Sequence, residues 1–365
     1  MTTKDTAKPV NNSDILFIYD AKMCNPNGDP DDENKPRMDY DTETNLVSDV
    51  RLKRYIRDYL ENKEGKLIFV SRVHGKTVDA TQRLAYWISQ KVLNDEKEPD
   101  KKLKKKAQEI KEILEKGRTP DAAEITNLID SNDSILDAFL DVRLFGATMP
   151  IKGKKGESFT FTGPVQFNWG YSLNRVRLMD SATISSTFAG RTSEGEDEEH
   201  GTFGKDYRVY YSLIAFHGIV SGKRAEHTRL TDNDIKLFEK ALIKSIPLQA
   251  TRSKIGQYPR MYVRIEYTDQ ETLLGDLRRF VRKDISPDID REDQVRDISE
   301  VELNIDELVA ELKSGDFKDR VKAIHYWHDK SVASCFERLI EDDVLKKKLV
   351  AVNPFNKTGN TEPSS

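Results

Sequence analysis

Hydrophobic positions along the 365-residue chain change period several times, and each change marks an element. Ile15, Phe17 and Tyr19 alternate with Leu16, Ile18 and Asp20 in a short, nearly all-apolar run, the pattern of a strand covered on both faces. Asn25-Pro26-Asn27-Gly28-Asp29-Pro30 supplies turn chemistry, because Asn and Gly accept positive φ while Pro fixes φ and offers no N–H. From Leu46 to Leu60 the spacing becomes helical, with Leu52, Ile56, Tyr59 and Leu60 on one side and Ser48 or Asp49 as N-cap. Ser158 to Asn168 returns to a strand period through Phe159, Phe161, Val165 and Phe167, and Gly163-Pro164 predicts a bulge or kink within it. Arg208 to Val220, rich in Tyr, Ile and Phe, reads as the next strand. Thr231 and Asp232 then cap a helix running to Ser245, and Arg260 to Tyr267 closes the series as a strand. The order β-α-β-β-α-β predicts an α+β fold, a ferredoxin-like or RRM-like palm with two helices on one face of its sheet.

Long segments interrupt this order. The expected division is 14–79 for the first part of the palm, 80–157 for a partly helical insertion and 158–179 for a palm strand. An acidic projection over 180–207, palm completion over 208–283 and an acidic, helical extension over 284–352 follow, with 1–12 and 353–365 as disordered tails. The Lys/Glu-rich stretch Asp100 to Gly117 predicts an exposed helix. Neither insertion reads as a domain of its own.

Composition changes the picture mainly by exclusion. No run approaches the roughly 20 apolar residues of a spanning helix, and the polar stretch Met1 to Asn12 lacks a signal core, so no membrane partner is expected. Cys24 and Cys335 are the only cysteines, which leaves no disulfide framework or paired-thiolate zinc site and points to a reducing cytoplasm. The net charge of −4 hides an uneven distribution. Arg143 to Arg177 holds six basic residues (Arg143, Lys152, Lys154, Lys155, Arg175, Arg177) against Glu157, and Ala250 to Ile265 holds Arg252, Lys254, Arg260 and Arg264 with no acid. Asp284 to Glu307 has ten acids against two arginines, and Glu194 to Glu199 five acids in six residues. Such runs are either solvated faces or the footprint of a polyanion partner.

Gly75-Lys76-Thr77 is not a phosphate loop, because Val70 stands where that motif needs Gly, and no G-x-G-x-x-G occurs. Gly153-Lys154-Lys155-Gly156 has the string of an RNA-binding GXXG turn but precedes a strand rather than joining two helices. His325 and His328, at i, i+3 on an expected helix beside Asp329, lack a third ligand spacing and read as surface or capping residues. Asp29, Asp31, Asp32 and Glu33 crowd the first loop, where they either hold Mg²⁺ or keep a turn soluble, the latter being favoured. No catalytic residue, metal site or cofactor is expected. The strongest local feature is the first helix, where Arg51, Lys53, Arg54 and Arg57 place four cations within seven residues at a helix start suited to phosphates.

At these residues the sequence resembles a known family. The runs Ile15 to Lys22, Asn25 to Pro30 and Leu46 to Arg57, then Arg143-Leu144-Phe145-Gly146-Ala147, Gly163-Pro164-Val165-Gln166-Phe167 and Thr251-Arg252-Ser253-Lys254 leading into Pro259-Arg260, are similar in order to the Cas-seven family of CRISPR-associated proteins, most of all its Csh branch in type I-B systems. The resemblance implies an RRM-like palm with inserted fingers (within Ala80 to Gly146) and a thumb (Asp180 to Gly204). It implies a backbone subunit that polymerises head to tail along CRISPR RNA in the Cascade complex, gripping phosphates without reading sequence while guide bases pair with target DNA. Its implied partners are CRISPR RNA, target DNA through the guide, further copies of itself, other Cascade subunits and a recruited helicase-nuclease. Carried over residue by residue, Ser48, Arg51, Lys53, Arg54 and Arg57 match the guide-contacting helix start, Asn25 and Asn27 the first loop, and Arg252 and Lys254 a late basic loop. Gln166, Asn168 and Arg143 match more weakly, and the first weight falls on Lys53 and Arg54. Type III backbone subunits of the same superfamily imply an alternative, metal-dependent cutting of target RNA by a loop Asp. A nonspecific RNA chaperone is a third reading.

Overall fold

A computed structural model of the chain describes residues 10–95, 101–121, 124–125, 127–129, 132–150, 158–189 and 201–355. Most of both expected tails, the Gly153 to Gly156 turn and the acidic run 194–199 lie outside the described residues. Asn12, expected in a tail, is buried, and its backbone bonds to Asp269 and Tyr267. None of the described helices is long and apolar enough to cross a membrane.

The palm is built on β1 (Ser13–Cys24), and its apolar run is buried on both faces because β1 lies inside a nine-stranded sheet. After α1 (Asp49–Asn62) come β2 (Val165–Phe167), β3 (Val209–Val220), α2 (Asp232–Leu248) and β4 (Gln257–Tyr267). β3 and β4 flank β1 antiparallel, pairing Phe17 with Phe216 and with Tyr262, and β2 pairs with β3. The spatial order β4-β1-β3-β2 is that of a ferredoxin-like sheet, as the element order predicts. Beyond β4 lie β5 (Val321–His328) and Leu349–Ala351; beyond β3 lie Gly170–Ser172, Thr44–Val47 and Met38–Asp39.

Both faces of this sheet are covered. On one, Glu239 of α2 reaches Tyr262 and Arg264 of β4, and Gln249 bonds to the Tyr55 carbonyl of α1. On the other, Leu16, Ile18, Leu213, Ala215, Met261, Val263 and Ile265 pack against Leu277, Val295, Ile298, Val301, Leu303, Leu308 and Phe336. The segment read as an acidic extension is therefore a third layer. Its polar residues alternate with Val301, Leu303 and Ile305, which turn inward and cover the sheet face that ordinary RNA-recognition sheets use for stacking bases.

The chain divides into two compact units, one including Leu60–Gln166 and Ser221–Leu237, the other including Asn11–Tyr59 and Phe167–Val220 with β1, β3 and β4 of the palm. The first unit has its own core of Phe69, Leu84, Trp87, Ile88, Ile110, Ile135, Phe139 and Met149. Asp79 caps the helix Ala80–Leu93 in a reciprocal capping box with Gln82, and Lys101–Glu115 is helical as expected, burying Ala107 and Ile110. The expected strand Ser158 to Asn168 is two strands. Ser158–Thr162 pairs with Gly146–Pro150 inside this unit, and its Phe159 and Phe161 pack on the unit's core. Gly163 divides them: a Cβ there would lie 2.0 Å from the Phe145 carbonyl carbon, a closeness only glycine permits. In the other unit, the ends of the acidic projection pair antiparallel as Thr183–Ala189 and Gly201–Lys205.

His325 and His328 lie on strand β5, not on a helix, and point to opposite faces. His328 stacks on Phe336 with ring centroids 4.8 Å apart, while His325 Nε2 lies 3.2 Å from a Glu266 oxygen. Burial opposes ionisation of Glu266, but hydrogen bonds from His325 and Lys322 and the charge of Arg264 outweigh it and bring its pKa down to about 2. A carboxyl depressed in the folded state stabilises the fold above its unfolded pKa of 4.5 and loses that contribution as pH falls toward 2. The stability gap between wild type and Glu266→Gln, measured by urea unfolding, is expected to be constant above about pH 6 and to shrink from about pH 5 to 2. A gap that widens on acidification contradicts this.

Candidate nucleic-acid interface

The end of β1 turns sharply into the Asn25 to Pro36 loop, where Gly28–Asp29 and Lys35–Pro36 form a two-residue ladder. Gly28 lies so close to Asn34 that a Cβ would sit 2.8 Å from its backbone oxygen. Asn25 ties three segments together: its N–H donates to Ser253 O (2.8 Å), its Nδ2 to Asn34 O (2.8 Å), and its carbonyl accepts from Lys254 Nζ (2.5 Å). Asn27 Oδ1 accepts from both the backbone N–H and the hydroxyl of Ser48, each at 2.9 Å. Ser48 in turn caps α1, its Oγ accepting from Arg51 N at 3.3 Å.

The two residues brought together most tellingly are Arg51 and Lys254. Arg51 rides on the Tyr55 ring, its guanidinium carbon 4.0 Å from the centroid, and Gln257 donates to the Tyr55 hydroxyl beneath. Among the described residues neither cation has a carboxylate partner. Burial, then the charge of Arg51, lower the Lys254 pKa to about 8. Arg51 Nε and Asn25 Oδ1 are buried without a hydrogen-bond partner among the described residues. Two cations held together at a capped helix start, with the Arg51 Nε donor unspent, are chemically suited to an anion.

Lys53 and Arg54 are less available than their position suggests. Lys53 is ion-paired with Asp49 at 3.1 Å and its side chain is 11% exposed; Arg54 is paired with Asp58 at 2.6 Å. Arg57 is half-buried and also engaged. Such i, i+4 pairs contribute only about 0.3–0.5 kcal/mol, so a phosphate can exchange with either carboxylate. Arg252 is exposed, with Nη1 3.3 Å from Asp206. Asn168 is exposed, and its Oδ1 accepts from Trp169 N. Gln166 and Arg143 belong to the other unit. Gln166 Nε2 donates to the Phe145 and Gly163 carbonyls, and Arg143 is held by both oxygens of Asp234 at 2.9 and 3.0 Å and by the Leu136 and Asp137 carbonyls, a structural role.

Two cations near this loop escaped the sequence reading. Arg208 donates to the carbonyls of Met23 and Arg252 while paired with Asp206, and Arg37 bonds Asp29 at 3.0 Å with its guanidinium over the Trp169 ring. Neither sits in a basic cluster of the sequence, so only the fold reveals them. The loop carboxylates are largely committed, Asp29 to Arg37 and Asp32 to Lys35 (2.6 Å), and no group of three potential metal ligands occurs among the described residues.

Comparison with known proteins places this geometry in context. The family model described as CRISPR-associated protein Cas7 matches residues 11–306. A curated CRISPR-associated protein Cas7 from Haloferax volcanii is 31% identical over 331 residues, covering 87% of this chain and 86% of the relative. Among solved structures, a chain of a CRISPR RNA-guided surveillance complex in a pre-nicking state shares the fold with a TM-score of 0.51 at 15% identity, covering 94% of this chain and 97% of that one. The match begins just before β1 and runs through the palm, the capped helix and the late basic loop, and on that span the chain belongs to the Cas7 family of CRISPR-associated proteins.

Proposed function

We propose that the chain is the guide-binding backbone subunit of a type I-B Cascade complex, polymerising head to tail along CRISPR RNA and presenting the guide's bases to target DNA. The observation that carries this reading is the pairing of Arg51 with Lys254 beside Asn25, Asn27 and Ser48, without a carboxylate to neutralise either cation. Backbone amides and two cations can grip phosphates but cannot read bases, which suits a subunit whose specificity comes from base pairing. In this reading the first compact unit supplies the fingers and the hairpin of Thr183–Ala189 and Gly201–Lys205 is the base of the thumb. Other Cascade subunits and a helicase-nuclease complete the assembly in the cytoplasm. In this reading the subunit itself performs no catalysis, and Asp29 and Asp32 serve the loop through their ion pairs with Arg37 and Lys35.

One experiment tests both halves. The tagged chain is purified from its host, treated with nuclease, and the surviving RNA sequenced. Guide RNAs protected irrespective of spacer sequence are expected, and the preparation is expected to leave complementary RNA intact in Mg²⁺. Random cellular fragments would instead indicate a nonspecific chaperone, and cuts at regular intervals abolished by Asp29→Ala would make the chain an enzyme.

A further inference from the structure

Trp169 is 43% exposed, an unusual position for the largest apolar side chain, and the RNA-holding reading leaves it unused. Its backbone is nevertheless firmly held. The Trp169 carbonyl accepts from Arg278 Nη1 at 2.8 Å, and the Arg278 side chain is 3% exposed, clamped by both oxygens of Asp276 and lying 4.2 Å from the Tyr171 ring centroid. The Trp169 N–H is bonded to Asn168 Oδ1, and the following Gly170 lets Phe216 pack where a Cβ would clash at 2.4 Å. A fixed backbone thus carries an exposed indole.

The ring also has a cationic companion, Arg37, whose guanidinium carbon lies 5.6 Å from its centroid. Arg37 belongs to the site loop: its N–H donates to the Asn27 carbonyl, and the Asn27 side chain holds Ser48, the cap of the helix that carries Arg51. Trp169 is therefore joined to the cation site through one short series of bonds.

We infer that Trp169 is a stacking platform for a nucleobase of the bound RNA strand, with Arg37 holding the ring's orientation. This rests on the RNA-binding reading and adds a base contact to its phosphate contacts. Aromatic stacking tolerates every base, since each has a π-face, so the platform strengthens binding without introducing sequence preference.

The test uses the full chain, single-stranded RNA of mixed sequence and the same RNA made abasic. Trp169→Ala is expected to weaken binding to the intact RNA about tenfold, with an unchanged dependence on salt, and to leave binding to the abasic strand unaltered. Trp169→Phe is expected to restore most of the loss, and indole fluorescence of wild type to be quenched by intact but not abasic RNA. Equal affinities of wild type and Trp169→Ala for intact RNA overturn the platform while leaving phosphate binding standing. Equal losses on both strands overturn it too, as does a loss seen only after complementary DNA is added. If wild type binds neither strand, the RNA reading itself falls, and the platform with it.

Discussion

Replacing both Arg51 and Lys254 by glutamate is expected to abolish RNA binding by the otherwise folded chain. The two cations sit together without a carboxylate, so reversal removes two phosphate contacts and puts two repelling charges in their place. The neutral variants Arg51→Met and Lys254→Met resolve the effect: each is expected to reduce the slope of log affinity against log salt by about 0.7, the value for one phosphate contact on a single strand. Lys254 adds a pH signature. Its folded pKa of about 8 lies below the ordinary 10.5, chiefly through burial and then through Arg51, so the protonated form destabilises the RNA-free fold and stability rises with pH between about 8 and 10.5. A phosphate against the ammonium reverses that preference, so binding takes up a proton. Affinity is expected to fall as pH rises from about 7 to 9, by up to about tenfold per unit above 8, and Lys254→Arg to flatten the profile. Fluorescence anisotropy at several salt concentrations and pH values measures both. Unchanged affinity in the double reversal, with an intact fold by circular dichroism, refutes the site.

These expectations differ from the ones the sequence alone supports, and the reason is physical. Local spacing revealed the basic helix but ranked its cations by their number in a run, giving the first weight to Lys53 and Arg54. Asp49 and Asp58, four residues away from them, were equally visible and are their partners. Arg51 differs because its neighbour at i+4 is Tyr55, which accepts the guanidinium on its ring without neutralising it. That Lys254 would complete the pair is a tertiary fact, set by the meeting of Asn25 with Ser253 and Lys254 across more than two hundred residues of sequence. The palm was legible for the opposite reason. β1 is apolar on both faces because both are covered, and the two helices carry their stripes at regular spacing. From Phe159 to Phe167 the strand period is the same on both sides of Gly163-Pro164, so the sequence shows a kink there but not that the two halves pair in different sheets. In the stretch Asp284 to Glu307 the abundance of acids masks the inward residues Val295, Ile298, Val301 and Leu303, and so the layer they build.

The second large effect concerns the palm itself. Arg264 of β4 and Glu239 of α2 form an ion pair at 2.8 Å with side chains 5% and 4% exposed, completed by hydrogen bonds from Tyr262 to Glu239 (3.1 Å) and from Arg264 to Ser13 Oγ (3.1 Å). Burial works against the Arg264 guanidinium, yet the charge of Glu239 more than restores it and raises its pKa. Arg264→Met therefore leaves a carboxylate stranded between sheet and helix and is expected to cost about 3–5 kcal/mol, a large share of the 5–15 kcal/mol that holds a typical domain folded. Adding Glu239→Leu removes the stranded charge and is expected to recover part of this loss. Recovery stays incomplete, because the Tyr262 and Ser13 hydroxyls then lack their partners. Urea unfolding of the two variants measures the difference, and a cost below about 1 kcal/mol for Arg264→Met would show that water reaches the pair. RNA binding separates this damage from damage to the site. A palm variant lowers the fraction of chains able to bind but keeps the wild-type salt slope and pH profile in those that remain folded, whereas loss of Arg51 or Lys254 changes the slope itself.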